Sequence, residues 1–147
     1  MKPKAVLVDI DGTLVTVTPN WSMERDDQWV EETLNAEGLD GGISMLKAFH
    51  LMGYKCVFLT ARGQNCRKNT WKKFRELEID HLVDSIWHRP IKQNGVSSRK
   101  YKEKMILMLQ NKYDLQWALE DEEPNQEMMR SLGLNVVDAR VWHKKGE

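Results

Sequence analysis

The chain has 147 residues, with 22 Lys+Arg against 22 Asp+Glu, two cysteines and six tryptophans. That length is one domain's worth and buries enough surface to fold without a disulfide or metal staple. The balanced charge excludes a global positive field for holding nucleic acid non-specifically, so any contact with a polyanion has to come from a local patch. Cys56 and Cys66 are not spaced as a metal motif, and so few thiols point to a reducing compartment. The apolar run after the basic N-terminal residues is too short for a signal peptide or a membrane span. A cytoplasmic protein with no membrane partner and no obligate protein partner is expected.

Strands and helices alternate along the chain. Ala5–Val8 is a short valine-rich run suited to a strand buried on both faces. Val15 to Gly42 interrupts the alternation. Thr16, Thr18, Pro19 and Asn20 read as a loop or hairpin, and Asp26–Glu37 reads as an amphipathic helix burying Trp29, Val30, Thr33 and Leu34. Following the first strand directly, this insert should lie over the strand's carboxyl end as a small flap or cap, at about 15–42. Next comes a helix over Ile43–Met52, with Leu46, Phe49 and Met52 three apart and Gly53 at its end. A second strand follows at Tyr54–Leu59, then a helix at Arg67–Leu77 with Trp71, Phe74 and Leu77 on one side. Asp84–Trp87 is a weaker third strand. Tyr101–Leu109 is a helix, Leu115–Leu119 a fourth strand, and Pro124–Leu132 a helix with proline in its first turn and Gly133 just beyond it. Asn135–Val137 opens a fifth strand, and the basic tail VWHKKGE (141–147) reads as frayed. Repeated strand–helix order argues an α/β, Rossmann-like three-layer sandwich: one domain over 1–147 around a five-stranded parallel sheet.

In such a sheet ligands bind beyond the carboxyl ends of the strands, so the residues there matter most. Asp9-Ile10-Asp11-Gly12-Thr13 follows the first strand, Thr60-Ala61-Arg62-Gly63 the second, and Glu120-Asp121-Glu122-Glu123 the fourth. Lys100, Lys102 and Lys104 open the helix between strands three and four. Each residue type has a use in phosphoryl transfer. Asp9 can attack phosphorus and form an aspartyl-phosphate. Asp11 can protonate the leaving oxygen and then deprotonate water. Gly12 allows a sharp turn. A carboxylate and a phosphate repel unless a cation bridges them, and the hard oxygens of Asp9 and Asp121 suit Mg²⁺. Thr60 can donate to a phosphate oxygen, and one lysine can offset charge on the equatorial oxygens.

These strings carry a family resemblance. DIDGTL (9–14) resembles the DxDGT signature of haloacid-dehalogenase-like (HAD) phosphohydrolases, LTAR (59–62) their second motif and ALED (118–121) their fourth, with lysines in place for the third. The resemblance runs from Lys4 to about Ala139. It implies Asp9 as nucleophile and metal ligand, Asp11 as general acid/base and metal ligand through its main-chain carbonyl, and Asp121 as a direct metal ligand with Glu120 close behind. Thr13, Thr60 and Ala61 are implied as phosphate-binding positions, and the first strand as the centre of the sheet. A closer likeness is to the phosphatase half of bacteriophage polynucleotide kinase/phosphatases. It lies in HLMGYKCVFLTARG (50–63), in WHRP (87–90) with SSRKYKEKMI (97–106), and in EMMRSLGLNVVDAR (127–140). Carried over, Arg62 binds substrate phosphate and Lys102 is the third-motif lysine. That group usually has an aspartate shortly before the lysine; Ser97, Ser98 and Arg99 stand here instead, which leaves Lys104 as the other candidate. No GxxxxGK[ST] occurs, so 5′-kinase activity is not expected.

Blander readings stand beside these. Thr60 alone would cap the next helix, Arg62 alone would pair with a neighbouring acid, and Glu122 and Glu123 suit a helix first turn. His50, His81, His88 and His143 lack metal spacing and read as surface or structural. Trp21 or Trp29 could stack on a nucleobase or simply close the flap onto the sheet. The expected activity is Mg²⁺-dependent phosphomonoester hydrolysis on a phosphorylated nucleic-acid end, with a 3′-phosphate preferred, in the cytoplasm of a bacterium or a phage-infected host. The alternatives are a small-molecule phosphatase acting on nucleotides or sugars, and a non-catalytic phosphate-binding module on the same fold.

Overall fold

A computed structural model of the chain describes residues 1–19, 27–93 and 95–143. Five parallel strands form one sheet in the order β3-β2-β1-β4-β5. They are β1 (Lys4–Val8), β2 (Lys55–Gly63), β3 (Val83–Arg89), β4 (Asp114–Glu120) and β5 (Asn135–Asp138). The helices are α1 (Asp27–Glu32), α2 (Asp40–Leu51), α3 (Arg67–Glu76), α4 (Ser98–Leu109) and α5 (Glu123–Ser131). The expected α/β architecture and the central place of β1 are both observed.

The period of two along β1 explains the three layers. Val6 and Val8 join one core cluster with Leu46, Phe49, Phe58 and Phe74, under α2 and α3. Ala5 and Leu7 join the other with Val57, Leu59, Ile106, Leu109 and Met128, under α4 and α5. With both faces covered, the buried part of β1, Ala5–Val8, must be apolar, and it is; only Lys4, at the exposed start of the strand, is charged.

Several boundaries differ from expectation. α2 begins at Asp40, not Ile43, so Gly41 and Gly42 are helical. Glycine is a poor helix former, but a Cβ on Gly42 would run into the Thr13 carbonyl and one on Gly41 into Trp142. α4 begins at Ser98 because the Ser97 side chain caps it, accepting from the Lys100 amide at 3.2 Å. β2 continues through Thr60-Ala61-Arg62 to Gly63, with a break in its pairing to β3 between Leu59↔Trp87 and Gly63↔Arg89. That irregularity frees the strand end from a straight ladder, and Ala61 within it lines the cleft described below.

In the insert, α1 stops at Glu32 and tightens into a 3₁₀ turn at Thr33–Asn35. Trp29 and Val30 pack against Cys66 at the entry to α3, and the Asn69 amide donates to the Val30 carbonyl at 3.0 Å. Trp29 is 3% exposed, so its ring closes the insert rather than offering a stacking face. Asn20, Trp21 and Asp26 lie outside the described residues. The tail departs from expectation as far as His143, residues 144–147 lying outside the described ones. Ala139–Trp142 forms a 3₁₀ turn, and Trp142 and His143 dock on the loop after β1 rather than fraying. No helix among the described residues is long and apolar enough to cross a membrane.

Candidate active site

The loop after β1 is a tight turn: the amides of Thr13, Leu14 and Val15 all donate to the Ile10 carbonyl, at 3.2, 2.9 and 3.2 Å. Gly12 sits in it with φ +75, and a Cβ there would strike the Asp121 carboxylate, so both conformation and close approach require glycine. The turn is held from behind. The Trp142 indole donates to the Thr13 carbonyl at 2.8 Å, and His143 Nε2 donates to the Gly12 carbonyl at 2.6 Å. Asp9 and Asp11 thereby face one cleft, lined also by Ala61, Ser98, Lys102 and Asp121.

On one side of β1 lie three carboxylates and one ammonium. Ligand oxygens of Asp9, Glu120 and Asp121 all lie within 4.8 Å of one another. Lys102 Nζ donates to Asp9 Oδ1 at 2.9 Å and to Glu120 Oε1 at 2.8 Å. It reaches them because a helical side chain leans toward the N-terminus of its helix, which is the sheet's carboxyl edge here. Lys104 and Lys100, on the same helix, are exposed. Glu120 has no exposed surface. Its other oxygen accepts from the Asp121 and Glu122 amides at 3.0 and 3.1 Å, so Glu120 orients its neighbours. Thr13 donates to Asp9 Oδ2 at 3.2 Å.

The electrostatics follow from that crowding. Burial, then the Glu120 charge, raise Asp9; burial, then Asp9 itself, raise Asp121 further. Burial works against the Lys102 ammonium, but Asp9 and Glu120 together outweigh it and hold it above its usual range. With every group ionised, three carboxylates and one ammonium leave a net charge of minus two. A hard divalent cation fits both that charge and that all-oxygen donor set. Asp9 and Asp121 would hold it, Glu120 being engaged by Lys102 and two amides.

On the other side of β1 the charges are already paired. Arg62 grips Asp11 in a two-pronged bond, Nε to Oδ2 at 2.9 Å and Nη2 to Oδ1 at 2.8 Å, with only 1% of the arginine and 8% of the aspartate exposed. Arg62 is therefore placed on the acid, as the blander reading has it, and not on the cleft wall. Thr60 is buried, and its hydroxyl accepts from the Arg62 amide at 3.0 Å. Behind Arg62 stand Thr70 and His88, which sequence reasoning did not single out for the site. No motif marks them, and only the fold brings them there.

An all-parallel sheet with an acid pair leaving its central strand, a lysine from the next layer and an acid pair leaving the adjacent strand defines a HAD-type phosphatase. More particularly, the chain belongs to the family of phosphatase domains of the polynucleotide kinase PNKP, whose model matches residues 3–141. Among solved structures it is similar to a chain of the "Pnkp1/Rnl/Hen1 RNA repair complex", at 26% identity and a TM-score of 0.78 over 93% of this chain and 42% of that one. A second structure of the Pnkp1/Rnl/Hen1 complex gives 24% identity and 0.79 over 93% and 46%. The chain thus spans less than half the length of both. A Class C acid phosphatase from Bacillus anthracis with tungstate bound shares the fold at 18% identity and a TM-score of 0.64, over 94% of this chain and 66% of that one. No curated protein sequence matches the chain.

Proposed function

We propose that this chain is a Mg²⁺-dependent polynucleotide 3′-phosphatase working through an aspartyl-phosphate on Asp9. The observation that carries the reading is the cluster of Asp9, Glu120 and Asp121 around Lys102 at the mouth of a cleft. The bound cation would neutralise charge between the Asp9 carboxylate and the incoming phosphate. An Asp9 oxygen then bonds to phosphorus as the ester bond breaks. Asp11 would enter the cycle as the carboxylic acid and hand its proton to the departing oxygen; in the second step, as the carboxylate paired with Arg62, it takes one back from the water that attacks phosphorus, freeing phosphate and restoring both Asp9 and the protonated Asp11. Lys102 keeps Asp9 fixed and offsets charge on the transferring group.

Family membership supports the polymer end as substrate, and so does a local patch within the neutral chain. Lys68, Lys72 and Arg75 are exposed and recur once per turn on one side of α3. None of them makes an ion pair with another described residue, whereas Lys73 is tied to Glu76 at 2.9 Å. α3 starts just after the cleft-lining end of β2, so this stripe leads away from the site as a track for backbone phosphates.

The test compares a 3′-phosphorylated oligonucleotide with free 3′-mononucleotides, with and without EDTA. Higher kcat/KM on the oligonucleotide, lost on chelation and restored by Mg²⁺, is expected. Asp9→Asn should lose at least about a thousandfold in turnover while keeping the wild-type circular dichroism spectrum. Equal or better turnover of the mononucleotide would turn the assignment to a small-molecule phosphatase. Absence of metal-dependent hydrolysis on any phosphomonoester would leave a phosphate-binding module.

A further inference from the structure

Thr70, one turn into α3, is buried, and its hydroxyl has three polar neighbours. They are the Cys66 carbonyl at 3.0 Å, Arg62 Nη1 at 3.3 Å and His88 Nε2 at 3.0 Å. A hydroxyl has one proton and two lone pairs. The carbonyl can only accept and the guanidinium can only donate. The proton therefore goes to Cys66, one lone pair faces Arg62, and the other is left for His88. His88 then donates from Nε2, and its Nδ1 is bare. Nδ1 is buried and has no partner among the described residues. The opposite tautomer would bury an unpartnered N–H and set the hydroxyl oxygen against the Cys66 oxygen with no proton between them, which costs more than one unfilled acceptor.

From this chain of contacts we infer that His88 and Thr70 are positioning residues for the general acid. Neutral, Nε2-protonated His88 fixes the Thr70 hydroxyl, Thr70 fixes the free Nη1 of Arg62, and Arg62 presents Asp11 to the cleft. All four side chains are at least nine-tenths buried, and only one assignment of donors and acceptors satisfies every N–H and O–H in the chain of contacts, so it has one low-energy arrangement. A guanidinium is planar. Anchoring Nη1 on Thr70 therefore sets the plane in which Nε and Nη2 hold Asp11, and with it the direction in which the carboxyl's remaining lone pairs point. Burial, then Arg62 and Arg67, lower the His88 ring to about 4, against an opposing pull from Asp11, which keeps it neutral. The inference goes beyond the proposed function, and it rests on the acid role given to Asp11 there.

The ester used separates an acid-positioning role from a merely structural one. Expulsion of an alkoxide needs a proton, whereas expulsion of 2,4-dinitrophenolate does not. kcat/KM reports the steps up to cleavage of that ester bond. Thr70→Val is expected to lower kcat/KM on an alkyl phosphomonoester about tenfold or more while leaving that on 2,4-dinitrophenyl phosphate within about twofold. Thr70→Ser, which keeps the hydroxyl, should restore the alkyl ester. Equal losses on both esters, or no loss on either, would overturn the inference. Asp11→Asn on the same two esters is the control for the underlying mechanism: if it fails to discriminate between them, the acid role itself is wrong, whatever Thr70 does. A measurement on the unmodified protein stands even if Thr70→Val does not fold. Imidazole ¹⁵N shifts should show one buried histidine, absent in His88→Gln, neutral and protonated on Nε2 near pH 7. An Nδ1-protonated ring there would sink the inference.

Discussion

The two flanks of β1 solve one problem in opposite ways. Toward β4, Asp9, Glu120 and Asp121 share a single Lys102 and carry excess negative charge. Toward β2, Asp11 is matched one-to-one by Arg62, with neutral Thr70 and His88 behind. The first flank keeps a surplus of negative charge that a cation would offset, and the second is charge-balanced as it folds. A site built this way separates the task that needs an exchangeable ligand from the task that needs a fixed direction. In the proposed mechanism Asp9 would wait for metal and substrate, while Asp11, given the acid role there, is oriented in advance by Arg62.

The largest expected effects come from breaking each flank's cation. Lys102→Met strands Asp9 and Glu120, and Arg62→Met strands Asp11; each should cost about 3–5 kcal/mol of stability, because an uncompensated buried charge remains. The two should part on adding Mg²⁺. In Lys102→Met the carboxylate cluster is more negative and binds the ion more strongly, so its melting temperature should rise more than the wild type's. In Arg62→Met it should rise no more than in the wild type. Thermal melts with and without Mg²⁺ check this. A similar Mg²⁺ response in both variants would mean that the two flanks are not electrostatically separate.

The next effect belongs to the sealed flank alone. His88 is held neutral by burial and by Arg62 and Arg67, with its pKa lowered to about 4 from an ordinary 6.5. Between those values the unfolded chain binds a proton that the folded chain refuses. Stability from this group is therefore complete above the ordinary value and is lost as pH falls through the window to about 4. The full loss is on the order of 3 kcal/mol. His88→Gln, which cannot titrate, should flatten that part of the stability–pH curve when compared with the wild type in Mg²⁺. Parallel curves for the two proteins would show that His88 is not shielded from protons.

How much of this was legible follows the same division. Asp9, Asp11, Glu120 and Asp121 sit in short contiguous strings at strand ends, where chemistry and sequence neighbourhood coincide. Lys102 was narrowed to a small group by its place on a helix; only burial of the Tyr101–Lys102 side of α4 separates it from Lys104. The link from Arg62 through Thr70 to His88 crosses from β2 to α3 to β3, and no local pattern encodes such a path. The helical start at Gly41 and Gly42 was hidden for a related reason. Intrinsic propensity argues against it, and the need for bare backbone there comes from Thr13 and Trp142, which are distant in sequence. The docking of Trp142 and His143 is not legible either, because a basic, polar composition says nothing about what the Trp142 indole can reach.

That tail supplies the smallest predicted effect. Trp142→Phe keeps an aromatic ring against Gly41 but deletes the N–H that satisfies the Thr13 carbonyl. Loss of one such bond should cost about 1 kcal/mol. Thr13 also donates to Asp9, so a shift in its backbone is felt directly at that carboxylate. Turnover should therefore fall by a few fold, with Mg²⁺ affinity changing in the same direction, because Asp9 is common to both. The sealed flank should be untouched, so discrimination between alkyl and dinitrophenyl esters should stay at the wild-type ratio. If Trp142→Phe altered that ratio instead, the C-terminal turn would be acting on Asp11, and the separation of the two flanks would fail at the loop that joins them.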